Sequence, residues 1–172
     1  MDFSFESDIL DSFLNLPRRA QEVLVYYLIN HDDLMPFFRY MIISCGDLNY
    51  EECESPIEVI FSLAYGIFLS NIGGVEQEEF RLIPQYEVSV EENTYRADFA
   101  IRSSGRVLLI ECDGHKYHHS TKEQVARDNE RDYCLKCAGY YILHFSGSQI
   151  YNNPFKCAKD VYEYMKSIVG EV

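Results

Sequence analysis

The chain has 172 residues, 28 of them acidic and 15 basic, which gives a formal net charge of −13. This length suits one domain with its own core, and the apolar fraction of 47% excludes disordered and fibrous proteins. The apolar runs are far shorter than the about 20 residues that a membrane-spanning helix needs. No basic segment of the kind that opens a secretory signal is visible, and the six cysteines are irregularly spaced. We therefore expect a cytoplasmic protein with reduced thiols.

Charge is distributed unevenly along the chain. Residues 1–80 contain 15 acids and 3 bases, whereas residues 96–166 contain 9 acids and 11 bases. Contacts with phosphates dominate nucleic-acid affinity, so only the second part suits a polyanionic partner. The asymmetry predicts an acidic helical extension over residues 1–50 and a second domain over residues 51–172. We expect the extension to contact a protein partner or a second copy of the chain.

The residue pattern predicts three helices, three strands, a helix, a strand and a helix. Two helices lie within residues 17–44, and a third begins at Pro56, where Ser55 and Glu58 have the spacing of a capping box. Strands are predicted over 82–90, 95–102, 107–110 and 140–145, and helices over 121–138 and 154–168. The pair of strands around the helix 121–138 predicts a right-handed parallel crossover. The expected fold class is α/β (α+β), with a mixed central sheet of about four strands flanked by helices.

Acidic residues follow the apolar run at 107–110. If Ser104-Gly105 is a two-residue hairpin loop, Asp98 lies directly opposite Glu111, with Cβ atoms about 5 Å apart. Asp113 is two residues further along the strand and therefore projects from the same face as Glu111. Three carboxylates on one face repel each other unless a cation neutralises them, and Mg²⁺ prefers oxygen ligands. The sequence therefore indicates a divalent metal site at this end of the hairpin.

Other interpretations of the acidic residues and of the neighbouring arginines stay open. Asp98 and Glu111 have possible partners for a partly buried ion network in Arg96, Arg127 and Arg131. Arg127 and Arg131 are four residues apart on one helix face, where they are equally suited to contact phosphates or to pair with Asp128, Glu130 or Asp132.

The acidic residues and their neighbours resemble the PD-(D/E)XK, or restriction-endonuclease-like, nuclease superfamily, and more narrowly its very-short-patch-repair-like branch of small bacterial proteins. The likeness extends from Ser55 to Met165 and excludes the first 50 residues. Each fragment is short, and their order and spacing together make the resemblance specific. The residues that carry it are Ser55–Glu58, Pro84–Val88, Arg96–Phe99, Ile110–His115, His118, Thr121–Gln124, Arg127–Asp128, Arg131–Asp132, Leu135, Gly139–Tyr140, Phe145–Ile150 and Asn153–Pro154.

The resemblance implies an endonuclease that cuts DNA with Mg²⁺ or Mn²⁺. Asp98 and Glu111 are then metal ligands, with the carbonyl of Cys112 as a third. Glu58 is the helix carboxylate that binds the metal directly or through water. Its other interpretation is purely structural, as the residue that closes the capping box.

One position departs from the motif, because Asp113 stands where the superfamily has lysine. Asp113 is suited to hold a second cation, His118 or Lys122 to replace the lysine, and Gln124 to orient water. The predicted nucleic-acid contacts are Lys116, Lys122, Arg127 and Arg131. His144, in the last strand, is expected to be a buried histidine with its hydrogen bonds satisfied. The missing lysine and the net charge of −13 also favour a second hypothesis, a catalytically degenerate nuclease fold that binds nucleic acid or protein.

Overall fold

A computed structural model describes residues 52–72, 78–113 and 121–170 of the chain. The predicted extension over residues 1–50 therefore lies outside the described residues. The same is true of two predicted site residues, Lys116 and His118.

Four helices and four strands make up the described part of the chain. Their order agrees with the sequence-based assignment from the third helix onward, apart from one additional short helix. The elements are α1 (Pro56–Ile72), β1 (Ile83–Val90), β2 (Asn93–Ser103), β3 (Arg106–Asp113), α2 (Lys122–Cys137), β4 (Tyr141–Ser146), α3 (Gly147–Asn152) and α4 (Pro154–Gly170). None of these described helices is long and apolar enough to cross a membrane.

The strands form one mixed sheet in the order β1-β2-β3-β4. β1 with β2 and β2 with β3 are antiparallel, whereas β3 and β4, which α2 connects, are parallel. This arrangement confirms the predicted mixed four-stranded sheet flanked by helices. It also confirms the parallel pairing of the last two strands.

The loop between β2 and β3 sets the register of the acidic residues. Ser104 and Gly105 have φ angles of +50° and +74°, the left-handed conformation that a two-residue hairpin turn of type I′ requires at both positions. Glycine adopts this conformation without cost, and Ser104 is exposed at the turn. The resulting pairs run from Ser103 opposite Arg106 to Phe99 opposite Ile110, which is the register predicted from the loop length.

The sheet has two buried faces. Phe99, Ile110 and Phe145 lie on the face covered by α1, α3 and α4, where Phe61 of α1 packs between the rings of Phe99 and Phe145 at centroid distances of 5.5 and 5.9 Å. On the other face Leu109 packs with Leu135 of α2. Burial on both faces explains why β3 reads as an uninterrupted apolar run.

The short helix α3 was not assigned from the sequence. Ser146 ends β4 and caps α3, because its side chain accepts a hydrogen bond from the backbone N–H of Gln149 while the Gln149 side chain accepts one from the Ser146 N–H. A helix of six residues is too short to produce a clear helical period in the sequence, so only this capping pattern indicates it.

Candidate active site

The alternation of side chains along β1 and β2 breaks at Gln85 and Asp98. Phe99 packs on the α1 face of the sheet, yet Ala97, two residues earlier, packs with the group on the α2 face. Gln85 and Asp98 lie between the Pro84–Phe99 and Tyr86–Ala97 pairs, and Gln85 has a φ of +46°. A non-glycine residue in this conformation inside a strand is uncommon and strained. The two strands therefore reverse their faces at the level of Asp98.

Asp98 uses its carboxylate to join β2 to β3. Its Oδ2 accepts a hydrogen bond of 2.6 Å from the backbone N–H of Cys112. The β2–β3 pairing ends at Phe99 opposite Ile110, one residue short of Asp98 and of Glu111, so the two acids lie near each other at the end of the paired segment. The charge of Asp98 acts to raise the pKa of Glu111, which agrees with this proximity.

Glu111 is a buried carboxylate paired with an arginine. Its side chain is 11% exposed, and its Oε1 accepts a hydrogen bond from Nη2 of Arg131 on α2. The same nitrogen donates to the carbonyl oxygen of Arg96 at 3.2 Å. Burial raises the pKa of Glu111 to about 6, and Arg131 opposes that rise without cancelling it. The ion-network interpretation is thus realised for Glu111 and Arg131, whereas Arg96 pairs with Glu54 at 2.8 Å.

Glu58 is buried at the first turn of α1 and does more than cap its helix. Ser55 Oγ accepts a hydrogen bond from the Glu58 N–H at 3.3 Å, which is half of the predicted capping box. The Glu58 carboxylate accepts from the backbone N–H of Glu54 at 2.8 Å and from Nε2 of Gln85 at 3.0 Å. The strained residue of β1 therefore orients the helix carboxylate. Sequence reasoning gave Gln85 no role, although a Pro-Gln pair inside an alternating strand indicated an irregularity there.

Glu58, Asp98 and Glu111 have a common neighbour in Cys112. Burial raises the pKa of the Cys112 thiol well above its usual range, and the charges of all three carboxylates raise it further. The Cys53 thiol responds in the same way, since burial and then the charges of Glu58 and Asp98 raise its pKa to about 12. Burial is the larger cause for both thiols, and the charges of Glu58 and Asp98 act on each of them. We call Glu58, Asp98 and Glu111 the acidic triad.

Asp113 belongs to a second group of charges. Nδ1 of His144 lies 3.0 Å from Asp113 Oδ2, and Nε2 of the same ring lies 3.0 Å from Asp132 Oδ2 on α2. These contacts raise the pKa of His144 to about 9, with the hydrogen bond to Asp113 as the largest cause. His144 is satisfied, as predicted, but it is not buried, because a third of its side chain is exposed. The parallel β3–β4 register, which pairs Glu111 with His144, could not be read from the sequence.

We expect the two contacts of His144, with Asp113 and with Asp132, to make the unfolding free energy depend on pH. The folded state holds the His144 proton more tightly than the unfolded state, where the pKa is 6.5. The stabilisation is therefore complete below about pH 6.5 and is lost as the pH rises through about 9. Solvent screens a ring that is one-third exposed, so we expect a contribution of ~1–2 kcal/mol rather than the full value of the pKa shift.

Denaturant unfolding at about pH 6 and about pH 9.5 measures this contribution. The unfolding free energy of wild type is expected to fall by ~1–2 kcal/mol between about pH 6 and about pH 9.5 because the His144 contribution is lost. His144→Gln is expected not to show this fall. Because Asp113 on β3 and Asp132 on α2 are the groups that face the ring, Asp132→Asn should reduce the loss. Equal losses in wild type and His144→Gln would contradict the assignment.

Asp113 thus contacts His144, which also acts on Glu111, whereas Glu58, Asp98 and Glu111 share Cys112 as a neighbour. Within the described ranges, no three side chains of His, Cys, Asp or Glu lie close enough together to hold a metal ion as they stand. The donor chemistry of the acidic triad nonetheless suits Mg²⁺ or Mn²⁺, because it offers hard carboxylate oxygens whose charges all act on Cys112.

Other predicted contacts lie along α2. Lys122 and Arg127 are exposed near its N-terminal end. Gln124 closes a complete capping box with Thr121, since its Oε1 accepts from the Thr121 N–H at 2.8 Å and its own N–H donates to Thr121 Oγ1 at 3.3 Å. The structure thus gives Gln124 a role in starting the helix.

The mixed sheet, the flanking helices and the paired acids of the β2–β3 hairpin are those of a restriction-endonuclease-like domain. A family model described as REase_MTES_1575, which is a restriction-endonuclease-like family, matches residues 73–165. This range covers more than half of the chain, and the chain therefore belongs to that family. It includes Asp98, Glu111 and Arg131 but not Glu58. Comparisons with curated proteins and with solved structures gave no match.

Proposed function

We propose that this protein is a metal-dependent endonuclease that hydrolyses phosphodiester bonds in DNA. The observation that supports this most strongly is the proximity of Asp98 to Glu111 at the end of the β2–β3 pairing in a restriction-endonuclease-like sheet. The Asp98 carboxylate accepts a hydrogen bond from the N–H of Cys112, the residue after Glu111, and its charge acts on Glu111. Within the superfamily, we propose that the chain is related to the very-short-patch-repair-like branch, because the sequence resemblance extends from Ser55 to Met165.

Asp98 and Glu111 would hold a Mg²⁺ or Mn²⁺ ion, with the Cys112 carbonyl as a further ligand and Glu58 binding directly or through water. When bound, such an ion supplies a hydroxide nucleophile near neutral pH and relieves charge on the phosphate. Gln85 keeps the Glu58 carboxylate turned toward β1 through its 3.0 Å hydrogen bond. The backbone N–H of Cys112 fixes one oxygen of Asp98, so the acid is held in place before substrate arrives.

The position that carries lysine in the superfamily motif is Asp113, and this residue contacts His144. We propose that Lys122 or His118 supplies the cationic group, that Gln124 helps to orient water, and that Asp113 holds a second cation in some states. Lys116, Lys122, Arg127 and Arg131 would contact the DNA backbone as cations, of which arginine offers a forked pair of donors to phosphate. A protein partner or a second copy of the chain would bind through residues 1–50.

A second function is favoured by a specific observation. Glu111 has an arginine partner and Asp113 a histidine partner, and no ready metal cluster exists among the described residues. A catalytically degenerate member of the family that binds nucleic acid or protein would have these features. Such a protein would bind duplex DNA or a protein without cleaving nucleic acid under any metal condition.

Nicking of supercoiled plasmid DNA distinguishes the two functions. An endonuclease is expected to convert the plasmid to the relaxed form in Mg²⁺ or Mn²⁺ and to stop when EDTA is added. The double variant Asp98→Asn/Glu111→Gln, purified in the same way, measures any contaminating nuclease. Binding of the plasmid without nicking by wild type would favour the degenerate fold, and equal nicking by wild type and the double variant would reject the proposed site.

A further inference from the structure

Arg131 contacts the acidic triad through the carboxylate of Glu111. Its side chain is 22% exposed and Glu111 is 11% exposed, so the pair is partly shielded from water. One nitrogen of the guanidinium contacts both Glu111 of β3 and the carbonyl of Arg96 on β2, two residues before Asp98. The guanidinium therefore lies across the two strands that carry the paired acids. It compensates the negative charge of Glu111.

A divalent cation and Arg131 compete for the same carboxylate. Glu111 is engaged through Oε1 by Arg131, and a metal ion bound between Asp98 and Glu111 would place a second positive charge beside the guanidinium. The two cations repel each other strongly in a partly buried environment. Full occupation of the acidic pair by metal is therefore opposed as long as Arg131 stays on Glu111.

A phosphate group offers Arg131 an alternative partner. Guanidinium binds phosphate with the same paired donors that it uses for carboxylate. Arg131 lies on the exposed helix α2, and Arg127, one turn toward its N-terminus, is exposed on the same face. A nucleic-acid backbone that follows this face would reach Arg131 at the edge of the acidic triad.

We propose that Arg131 is a latch on the acidic pair: it holds Glu111 in the free protein and exchanges Glu111 for a backbone phosphate when nucleic acid binds. Binding of nucleic acid and binding of the divalent cation then favour each other, and by linkage each raises the affinity for the other by the same factor. This inference rests on the proposed nuclease function. It assigns Arg131 as a positioning residue that keeps the free protein from loading metal without substrate.

Mn²⁺ binding to the full chain tests the latch without measuring cleavage. Isothermal titration with Mn²⁺ is performed on wild type, Arg131→Gln and Arg102→Gln, each with and without a short duplex DNA. Titration of the duplex alone gives the Mn²⁺ that the DNA binds, and Asp98→Asn tests whether Mn²⁺ binding by the protein depends on the acidic pair. Arg102 serves as the matched control, because it is an exposed arginine near the C-terminal end of β2.

We expect Arg131→Gln to bind Mn²⁺ about tenfold more tightly than wild type when DNA is absent. Duplex DNA should tighten Mn²⁺ binding by wild type and by Arg102→Gln but not by Arg131→Gln. A purely structural role for Arg131 predicts the opposite, since its loss would then loosen the site. Tighter binding in the variant therefore separates the two roles.

Two results reject the latch without rejecting the proposed nuclease site. One is a folded Arg131→Gln protein that binds Mn²⁺ no more tightly than wild type, and the other is wild-type affinity that does not change with duplex DNA. The second result decides the matter even if Arg131→Gln fails to fold. If wild type binds Mn²⁺ and Asp98→Asn does not, the nuclease site survives a failure of the latch. If no protein binds Mn²⁺ under any of these conditions, both proposals fall.

Discussion

Asp98→Asn is expected to reduce metal-dependent DNA cleavage by at least about a hundredfold. A metal ion supplies several kcal/mol of transition-state stabilisation, and each loss of about 1.4 kcal/mol lowers the rate tenfold. Asparagine removes the negative charge that attracts the ion. It retains an oxygen that can accept the hydrogen bond from the Cys112 N–H, so the β2–β3 connection is preserved. We therefore expect a change in unfolding free energy of no more than about 1 kcal/mol.

The matched control for this change is Asp160→Asn. Asp160 makes an exposed pair with Lys156 on α4, on the opposite side of the sheet from α2, so the same chemical substitution there removes only a surface ion pair. Initial rates of plasmid nicking at several Mg²⁺ concentrations compare the variants with wild type. A rate for Asp98→Asn within a few-fold of that for Asp160→Asn would remove Asp98 from the catalytic site.

The register of the acidic pair was predictable because it depends on local geometry. Ser104-Gly105 can form a two-residue loop, and that loop alone fixes which residues of β2 and β3 face each other. The parallel pairing of β3 with β4 followed from the intervening helix for the same reason. Local rules therefore predicted the β2–β3 pairing up to Phe99 and Ile110, the neighbours of Asp98 and Glu111, without any knowledge of the tertiary structure.

The partners of the acids were not predictable in the same way. The choice of Arg131 rather than Arg127 or Arg96 for Glu111 depends on how α2 docks on the sheet, which the helix sequence does not specify. The contacts of His144 with Asp113 and Asp132 depend on the β3–β4 register, which a crossover of this length leaves open. The reversal of faces at Gln85 and Asp98 also required the structure, because the Pro84-Gln85 pair indicates an irregularity but does not specify a positive φ at glutamine.

Glu111→Gln is expected to lower cleavage as strongly as Asp98→Asn, and also to remove a pH-dependent cost in stability. The pKa of Glu111 is about 6 in the folded protein and 4.5 in the unfolded chain, mainly because the side chain is buried. Ionisation of Glu111 therefore opposes folding. The contribution of Glu111 to the unfolding free energy falls by about 2 kcal/mol as the pH rises from about 4.5 to about 6, and this contribution is constant above that range. Arg131 limits this cost but does not remove it.

Denaturant unfolding between about pH 4 and pH 7 measures this cost as a difference between proteins. Other carboxylates titrate in the same range, so the matched control is Glu163→Gln, which removes an exposed glutamate that pairs with Lys159 on α4. Relative to Glu163→Gln, the Glu111→Gln protein should gain about 2 kcal/mol as the pH rises through this window. A variant that loses cleavage while it gains stability at neutral pH has lost a residue kept for function rather than for folding. Parallel pH curves for the two variants would show that burial of Glu111 carries no such cost.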